Sequence, residues 1–172
     1  MSHTLAIVTV IYKNYSILND FFDSFARQSS DNFIIYVVDL SEQPQKFTHP
    51  SFVRVLNSTN KGYAHGINTG LKKAIEAGYS FFSIINSDTT VDQNFVKNSI
   101  IRIIEKPDSI IGGKIYYYPG CEYHKDRYTK DQLGGVIWYA GGHIDWKNVV
   151  GVHRGVDTVA EKSSAHLNKL IL

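Results

Sequence analysis

With 172 residues, 43% of them hydrophobic and 20% charged, the chain has the size and composition of one soluble globular domain able to bury a core. Its net charge of +2 comes from scattered Lys and Arg with no basic stripe, which sets nucleic acid aside as a partner. The lone Cys121 can close neither an internal disulfide nor a Cys/His zinc set, no apolar run nears the ~18 residues of a membrane span, and no secretion signal precedes the first strand, so a reducing, cytoplasmic location is expected.

Leu5 to Ile11 is a near-continuous apolar run of the kind found in a central parallel strand. After the loop Tyr12-Lys13-Asn14-Tyr15, Ser16 can cap a helix whose Ile17, Leu18, Phe21, Phe22 and Phe25 recur at helical spacing. Phe33 to Val38 reads as a second buried strand ending in Asp39-Leu40-Ser41, and Phe52 to Leu56 as a shorter third. From Tyr63 to Ala77 the pattern turns helical, with Ala64, Ile67, Leu71, Ala74 and Ile75 on one side and Gly78 as a stop. Phe81 to Ile85 is a fourth strand, read as covered on both faces, that stops abruptly in Asn86-Ser87-Asp88. Asp92 can cap a third helix that turns Phe95, Val96, Ile100, Ile103 and Ile104 inward before Pro107. Further strands are expected within 110–118 and 134–140, and the segment 165–172 has the look of a short helix.

Four strands alternating with three helices predict a three-layer α/β/α domain with a mostly parallel sheet and right-handed crossovers. Each strand then delivers its polar end to one rim, where open α/β sheets bind ligands. No GxxxxGK[ST], GxGxxG, GxSxG or HExxH sequence occurs, which removes the commonest α/β chemistries. What remains is a set spread over strand ends: Thr9 and Tyr12, Asp39, the block Asn60 to Gly70, and Asn86 with Asp88. Small polar residues after a strand also serve as turns and caps, so Asn86-Ser87-Asp88 carries both meanings. Gly62, Gly66 and Gly70, spaced by four, fall near one helix face; each costs up to about 1 kcal/mol relative to Ala. Two readings stay open for them: tight packing of helix on sheet, or access of a ligand to backbone N–H groups at a helix start. His143-x-Asp145 on an alternating strand puts both side chains on one face, which suits a solvated strand edge or an acceptor groove, and His153 follows nearby.

From Leu5 to about Gly155 the chain resembles the family 2 glycosyltransferases, which have the GT-A fold. The likeness rests on Ile7-Val8-Thr9-Val10-Ile11-Tyr12, on Val37-Val38-Asp39-Leu40-Ser41, on the Asn-x-Gly-x-x-x-Gly-x-Asn-x-Gly block from Asn60, and on Ile85-Asn86-Ser87-Asp88-Thr89. Tyr139 to Asp145 and His153-Arg154-Gly155 resemble the rhamnosyltransferase-like branch. The resemblance implies one domain over 1–172, with 1–106 as the nucleotide-binding half, 107–155 as the start of an acceptor half and 156–172 unassigned. It implies that Thr9 and Tyr12 line a nucleobase pocket, that Asp39 bonds the base, and that Asn60, Gly62, Gly66 and Asn68 border the nucleotide and its sugar. Asn86 and Asp88 take the DxD positions, with Asp88 holding Mg²⁺ or Mn²⁺ against the diphosphate and Asn86, in place of the first Asp, near the ribose. The implied donor is a UDP- or dTDP-linked sugar, transferred with inversion to a hydroxyl of a glycan or lipid-linked glycan at a bacterial surface, by a protein that is cytoplasmic or peripheral at the inner membrane face. The family supplies its catalytic base from a segment with no counterpart here, which implies a C-terminal truncation and leaves Asp145, Asp157 and Glu161 as local substitutes; the alternative is an inactive nucleotide-sugar binder. A sugar nucleotidyltransferase is disfavoured, since no Gly-rich phosphate loop follows Ile11.

Overall fold

The computed structural model of the chain describes residues 3–160. They fall into two compact units, parted after Pro107.

The first unit holds β1 (Leu5–Ile11), β2 (Phe33–Asp39), β3 (Val53–Asn57) and β4 (Phe81–Ile84) in one parallel sheet of order β3-β2-β1-β4. Helix α1 (Leu18–Ala26) joins β1 to β2, α2 (Tyr63–Glu76) joins β3 to β4, and α3 (Phe95–Glu105) follows β4. β1 is apolar on both faces and therefore takes an inner position, where Leu5, Ala6, Ile7 and Val8 are wholly buried. Successive strand residues face opposite ways. Ala6 and Val8 share one cluster with Tyr36, Val38 and Leu40 and with Ile67 and Ala74 of α2. On the other face, Phe25 of α1 packs against Phe33 of β2 and Phe95 of α3. Burying a side chain of that size stabilises by about 1.5–3 kcal/mol. Helices thus cover both faces of a mostly parallel sheet, the α/β/α architecture expected.

Several local expectations are corrected. Ser16 does not cap α1: Ile17 stands at the cap position with no side-chain bond, and the Ser16 hydroxyl donates to Asn14 Oδ1 at 3.0 Å. Asp92 lies two residues before Asn94, the cap residue of α3, and accepts the Asn94 N–H at 2.8 Å, closing the turn that leads in. Ile75 and Ile104, expected inward, are 60% and 52% exposed. Among the described residues β4 is an edge strand paired to β1 alone, and its Ile84 is 52% exposed where two covered faces were expected. Strand order decides this, and order is a tertiary fact.

The second unit contains an antiparallel pair, β5 (Ile115–Tyr116) with β6 (Ile137–Tyr139), and a hairpin, β7 (Gly142–Asp145) with β8 (Val150–His153). The strands within 110–118 and 134–140 are shorter than expected. Between them the chain is pinned by Glu122, a buried carboxylate whose Oε2 accepts the Gly120 N–H at 2.8 Å and whose Oε1 accepts the Gly134 N–H at 2.6 Å. Burial opposes its ionisation, but the N–H groups of Gly134, Glu122 and Gly120 outweigh that and hold it below the ordinary range. Glu161 and the helix expected at 165–172 lie outside the described residues. No described helix is long and apolar enough to cross a membrane.

Candidate functional site

The parallel strands of the first unit bring their C-terminal ends to one rim. From β1 the chain crosses to β2 on one side, while β4 lies on the other, so strand order reverses between β1 and β4. In an open α/β sheet that reversal opens a crevice just beyond the strand ends. Tyr12 follows β1 there, Asn86-Ser87-Asp88 follow β4, and the start of α2 comes up beside them.

The segment after β4 is anchored to β1. The Ile85 N–H donates to Val8 O at 3.1 Å, and the Ser87 hydroxyl to Val10 O at 3.4 Å. In the turn that follows β4, Ser87 is buried, while Asn86 and Asp88 on either side of it are exposed. Asp88 takes no part in the ion pairs among the described residues, which join Lys13 to Glu42, Lys73 to Glu76, Arg102 to Glu105 and His124 to Asp157.

Helix α2 begins at Tyr63 after Gly62, whose φ of +93° is one that residues with a Cβ rarely adopt. The Asn60 Oδ1 accepts the Gly62 N–H at 3.1 Å and so fixes that entry. Among the described residues no side chain caps the helix, which leaves its first-turn N–H groups and their partial positive charge available. The three glycines prove to have different jobs. Gly62 has open space where a Cβ would stand, whereas a Cβ on Gly66 would lie 2.8 Å from Val10 Cγ2, and one on Gly70 would run into Val8 Cγ1. Gly62 supplies the left-handed turn into α2 and packs against nothing, whereas Gly66 and Gly70 let α2 lie close on the sheet.

Tyr63 was not expected at the site. Its hydroxyl donates to Asn86 Oδ1 at 2.8 Å, joining the start of α2 to the end of β4. Burial, and after it the charge of Asp88, raise the Tyr63 pKa above its ordinary value, which puts Asp88 within electrostatic reach of the same phenol. Tyr15 was missed as well. Asp39 is wholly buried at the end of β2, its Oδ2 accepting the Tyr15 hydroxyl at 2.7 Å and its Oδ1 the Ser41 N–H at 2.9 Å. The Tyr15 oxygen in turn accepts the Gln45 N–H at 3.0 Å. Asp39 thereby ties the loop after β1 to the loop after β2. Above it Tyr12 is 44% exposed and donates to Glu42 Oε1 at 2.9 Å.

Of the residues singled out in the sequence, Tyr12, Asn60, Gly62, Asn86 and Asp88 stand exposed at or beside the rim, and Asp39 sits beneath its surface. Thr9 lies inside β1, wholly buried, with its Oγ1 lacking a hydrogen-bond partner among the described residues. Asn68 is exposed on α2; at about 100° per residue it points away from the side on which Gly66 and Gly70 meet the sheet.

In the second unit the Asp145 carboxylate is engaged by its own hairpin turn, accepting from the Lys147 N–H at 3.0 Å and from Asn148 Nδ2 at 2.7 Å. The Asn148 side chain is the main cause of its lowered pKa. His143 shares a strand face with Asp145 and Val152, but His153 pairs with Gly142 and faces the opposite way, so the two histidines cannot share a ligand. Asp157 has a left-handed φ of 60°; its Oδ1 is buried without a hydrogen-bond partner among the described residues, and its Oδ2 is 3.9 Å from His124 Nε2. Among the described residues no group of three or more His, Cys, Asp or Glu gathers to hold a metal ion.

The sequence profile described as glycosyl transferase family 2 matches residues 6–156. The chain belongs to glycosyl transferase family 2. The family match takes in the whole rim of the first unit and the hairpin with Asp145, and it stops one residue before Asp157. Among solved structures, the chain is 18% identical to a crystal structure of S. aureus TarS 1-349, with a TM-score of 0.49, covering 59% of this chain and 32% of that one. For S. aureus TarS 1-349 in complex with UDP-GlcNAc the identity is 15% and the TM-score 0.49, over 67% of this chain and 40% of that one. For the complex with UDP the values are 13% and 0.45, over 67% and 41%. The chain thus spans well under half of those proteins. No curated protein matches the sequence.

Proposed function

We propose that the rim of the first unit binds a nucleoside-diphospho-sugar, with uridine or deoxythymidine as the base, and that the protein is a glycosyltransferase passing the sugar with inversion to a hydroxyl of a glycan or lipid-linked glycan at a bacterial surface. One observation carries the reading: the uncapped start of α2 and the outward pair Asn86 and Asp88 meet where strand order reverses, joined by the Tyr63–Asn86 hydrogen bond. Free N–H groups at a helix start suit a diphosphate. Tyr12 offers an exposed ring against a base.

A divalent cation fits this rim on one condition. Asp88 is an exposed carboxylate outside every ion pair of the described residues, but it stands without the other acidic or imidazole ligands of a preformed cage. Mg²⁺ accepts such a site when diphosphate oxygens and water complete its shell, and Mn²⁺ suits the same oxygen ligands. When bound, the cation would neutralise charge on the departing nucleoside diphosphate. The chain's own part is to hold that diphosphate between the start of α2 and the Asn86–Asp88 segment.

A second reading, a donor-binding module without transfer activity, is favoured by Asp145. A general base must be free to take the acceptor's proton, and this carboxylate is held by Lys147 and Asn148.

Thermal unfolding with uridine or deoxythymidine diphosphate and Mn²⁺ tests the site: the melting temperature rises, and Asp88→Ala removes the rise. No shift with any nucleoside diphosphate, with or without metal, refutes both readings. Transfer to a matched acceptor, against donor hydrolysis or silence, then separates enzyme from binder.

A further inference from the structure

We propose that Tyr63 is a positioning residue that sets the side-chain amide of Asn86, so that its N–H₂ group rather than its carbonyl oxygen faces the donor. The inference rests on the rim being the donor site. An asparagine side chain has one acceptor and one doubly donating nitrogen, set about 120° apart on the same carbon. At 2.8 Å the Tyr63 hydroxyl donates into Oδ1, drawing the acceptor towards α2 and turning Nδ2 away from it. A phenol ordinarily titrates at about 10, so at neutral pH the Tyr63 hydroxyl carries the proton it donates. Tyr63 is itself 50% exposed, so its hydrogen bond is not forced on it by core packing.

The consequence is chemical. With its oxygen occupied, Asn86 addresses the donor as a hydrogen-bond donor to a phosphate or ribose oxygen and does not ligate the cation. Asp88 is then the single protein ligand that this segment gives a metal, and the two positions carry separate duties: Asp88 meets positive charge and Asn86 meets negative charge. A carboxylate at 86 would abolish the distinction, since its two oxygens are equivalent and a partner hydroxyl has nothing to orient.

That equivalence supplies the test. Uridine diphosphate affinity is measured by calorimetry with Mn²⁺ present for the unaltered chain, Tyr63→Phe, Asn86→Asp and the double variant. Tyr63→Phe removes one oxygen from a half-exposed ring and leaves the fold in place. It is expected to weaken binding about tenfold in the Asn86 chain, as fits a hydrogen bond to a charged oxygen, and less than about twofold in the Asn86→Asp chain. In the nucleotide-free protein, the Asn86 side-chain NH₂ pair of the ¹⁵N–¹H spectrum, assigned by its loss in Asn86→Asp, is expected to shift in Tyr63→Phe. Equal weakening in both backgrounds, or no weakening in either, overturns the inference, as does an unmoved NH₂ pair. Failure of the unaltered chain to bind the nucleotide overturns the donor-site reading and the inference with it, and it is recognised as that failure because the amide shift is read without ligand.

Discussion

Replacing Gly66 by Ala would stabilise an ordinary helix by about 1 kcal/mol, because glycine loses the most backbone freedom on folding. Here the sign is expected to reverse. The new methyl would stand 2.8 Å from Val10 Cγ2, 3.1 Å from Val10 Cγ1 and 3.3 Å from Leu40 Cδ1. Two of these are branches of a stiff β-branched side chain on the inner strand, which cannot swing aside. Overpacking of this kind costs about 1–3 kcal/mol; set against the helix gain, Gly66→Ala should destabilise by about 1 kcal/mol. Val10→Ala removes both γ carbons, the two nearest neighbours of the added methyl. In that background Gly66→Ala should become neutral or stabilising, so the two changes couple by about 1–2 kcal/mol, well above the ~0.5 kcal/mol within which independent sites add. Urea unfolding followed by far-ultraviolet circular dichroism measures each corner of the cycle. A Gly66→Ala variant that is stabilised on its own, with no coupling to Val10, would refute the packing explanation and return Gly66 to the ligand-access reading.

Two further outcomes follow from buried carboxylates. Tyr15→Phe leaves Asp39 Oδ2 without its 2.7 Å donor and the Gln45 N–H without its acceptor, and is expected to cost about 2 kcal/mol in the same urea titration; a loss under ~0.5 kcal/mol would show that water replaces the phenol freely. Glu122 titrates in the folded state below its ordinary value of 4.5, so the unfolded chain takes up the proton first. Its contribution is complete above that value and lost as the pH falls through the lower, folded one. Between pH 6 and pH 3 the tryptophan signal of the second unit should therefore lose stability more steeply in the unaltered chain than in Glu122→Gln, and parallel acid profiles would show that the clamp on Gly120 and Gly134 does not depend on charge.

The first unit was largely legible in the sequence because its signals are local. Apolar runs at Leu5–Ile11 and Phe33–Asp39 and the helical spacing of Phe21, Phe22 and Phe25 give element type without reference to distant residues. The exposure of Ile84 was not legible, since it depends on β4 lying at the edge. The two tyrosines escaped for a similar reason: Tyr63 finds Asn86 across 23 residues and Tyr15 finds Asp39 across 24, and no periodicity spans such gaps. The glycine block showed that backbone comes close to something, but a spacing of four cannot say whether sheet or ligand is the neighbour. Asp145 was more readable than it was read, for Asp-Trp-Lys-Asn after a strand has the composition of a turn in which the Asp side chain accepts from N–H groups two and three residues on.

The inner position of β1 also sets a timetable. Of the four parallel strands it is the first to be made, yet it is the last to be enclosed. β2 can pair with it once Asp39 has been made, but the face carrying Ala6 and Val8 stays bare until Tyr63–Glu76 has been made, and its second edge stays unpaired until Phe81–Ile84 arrives. Through that interval the nascent chain presents an apolar ribbon with an open hydrogen-bonding edge, the state most prone to pair with a neighbouring copy. Any fragment that stops short of β4 inherits the same exposure permanently, so the chain's solubility during synthesis hangs on its shortest and least covered parallel strand.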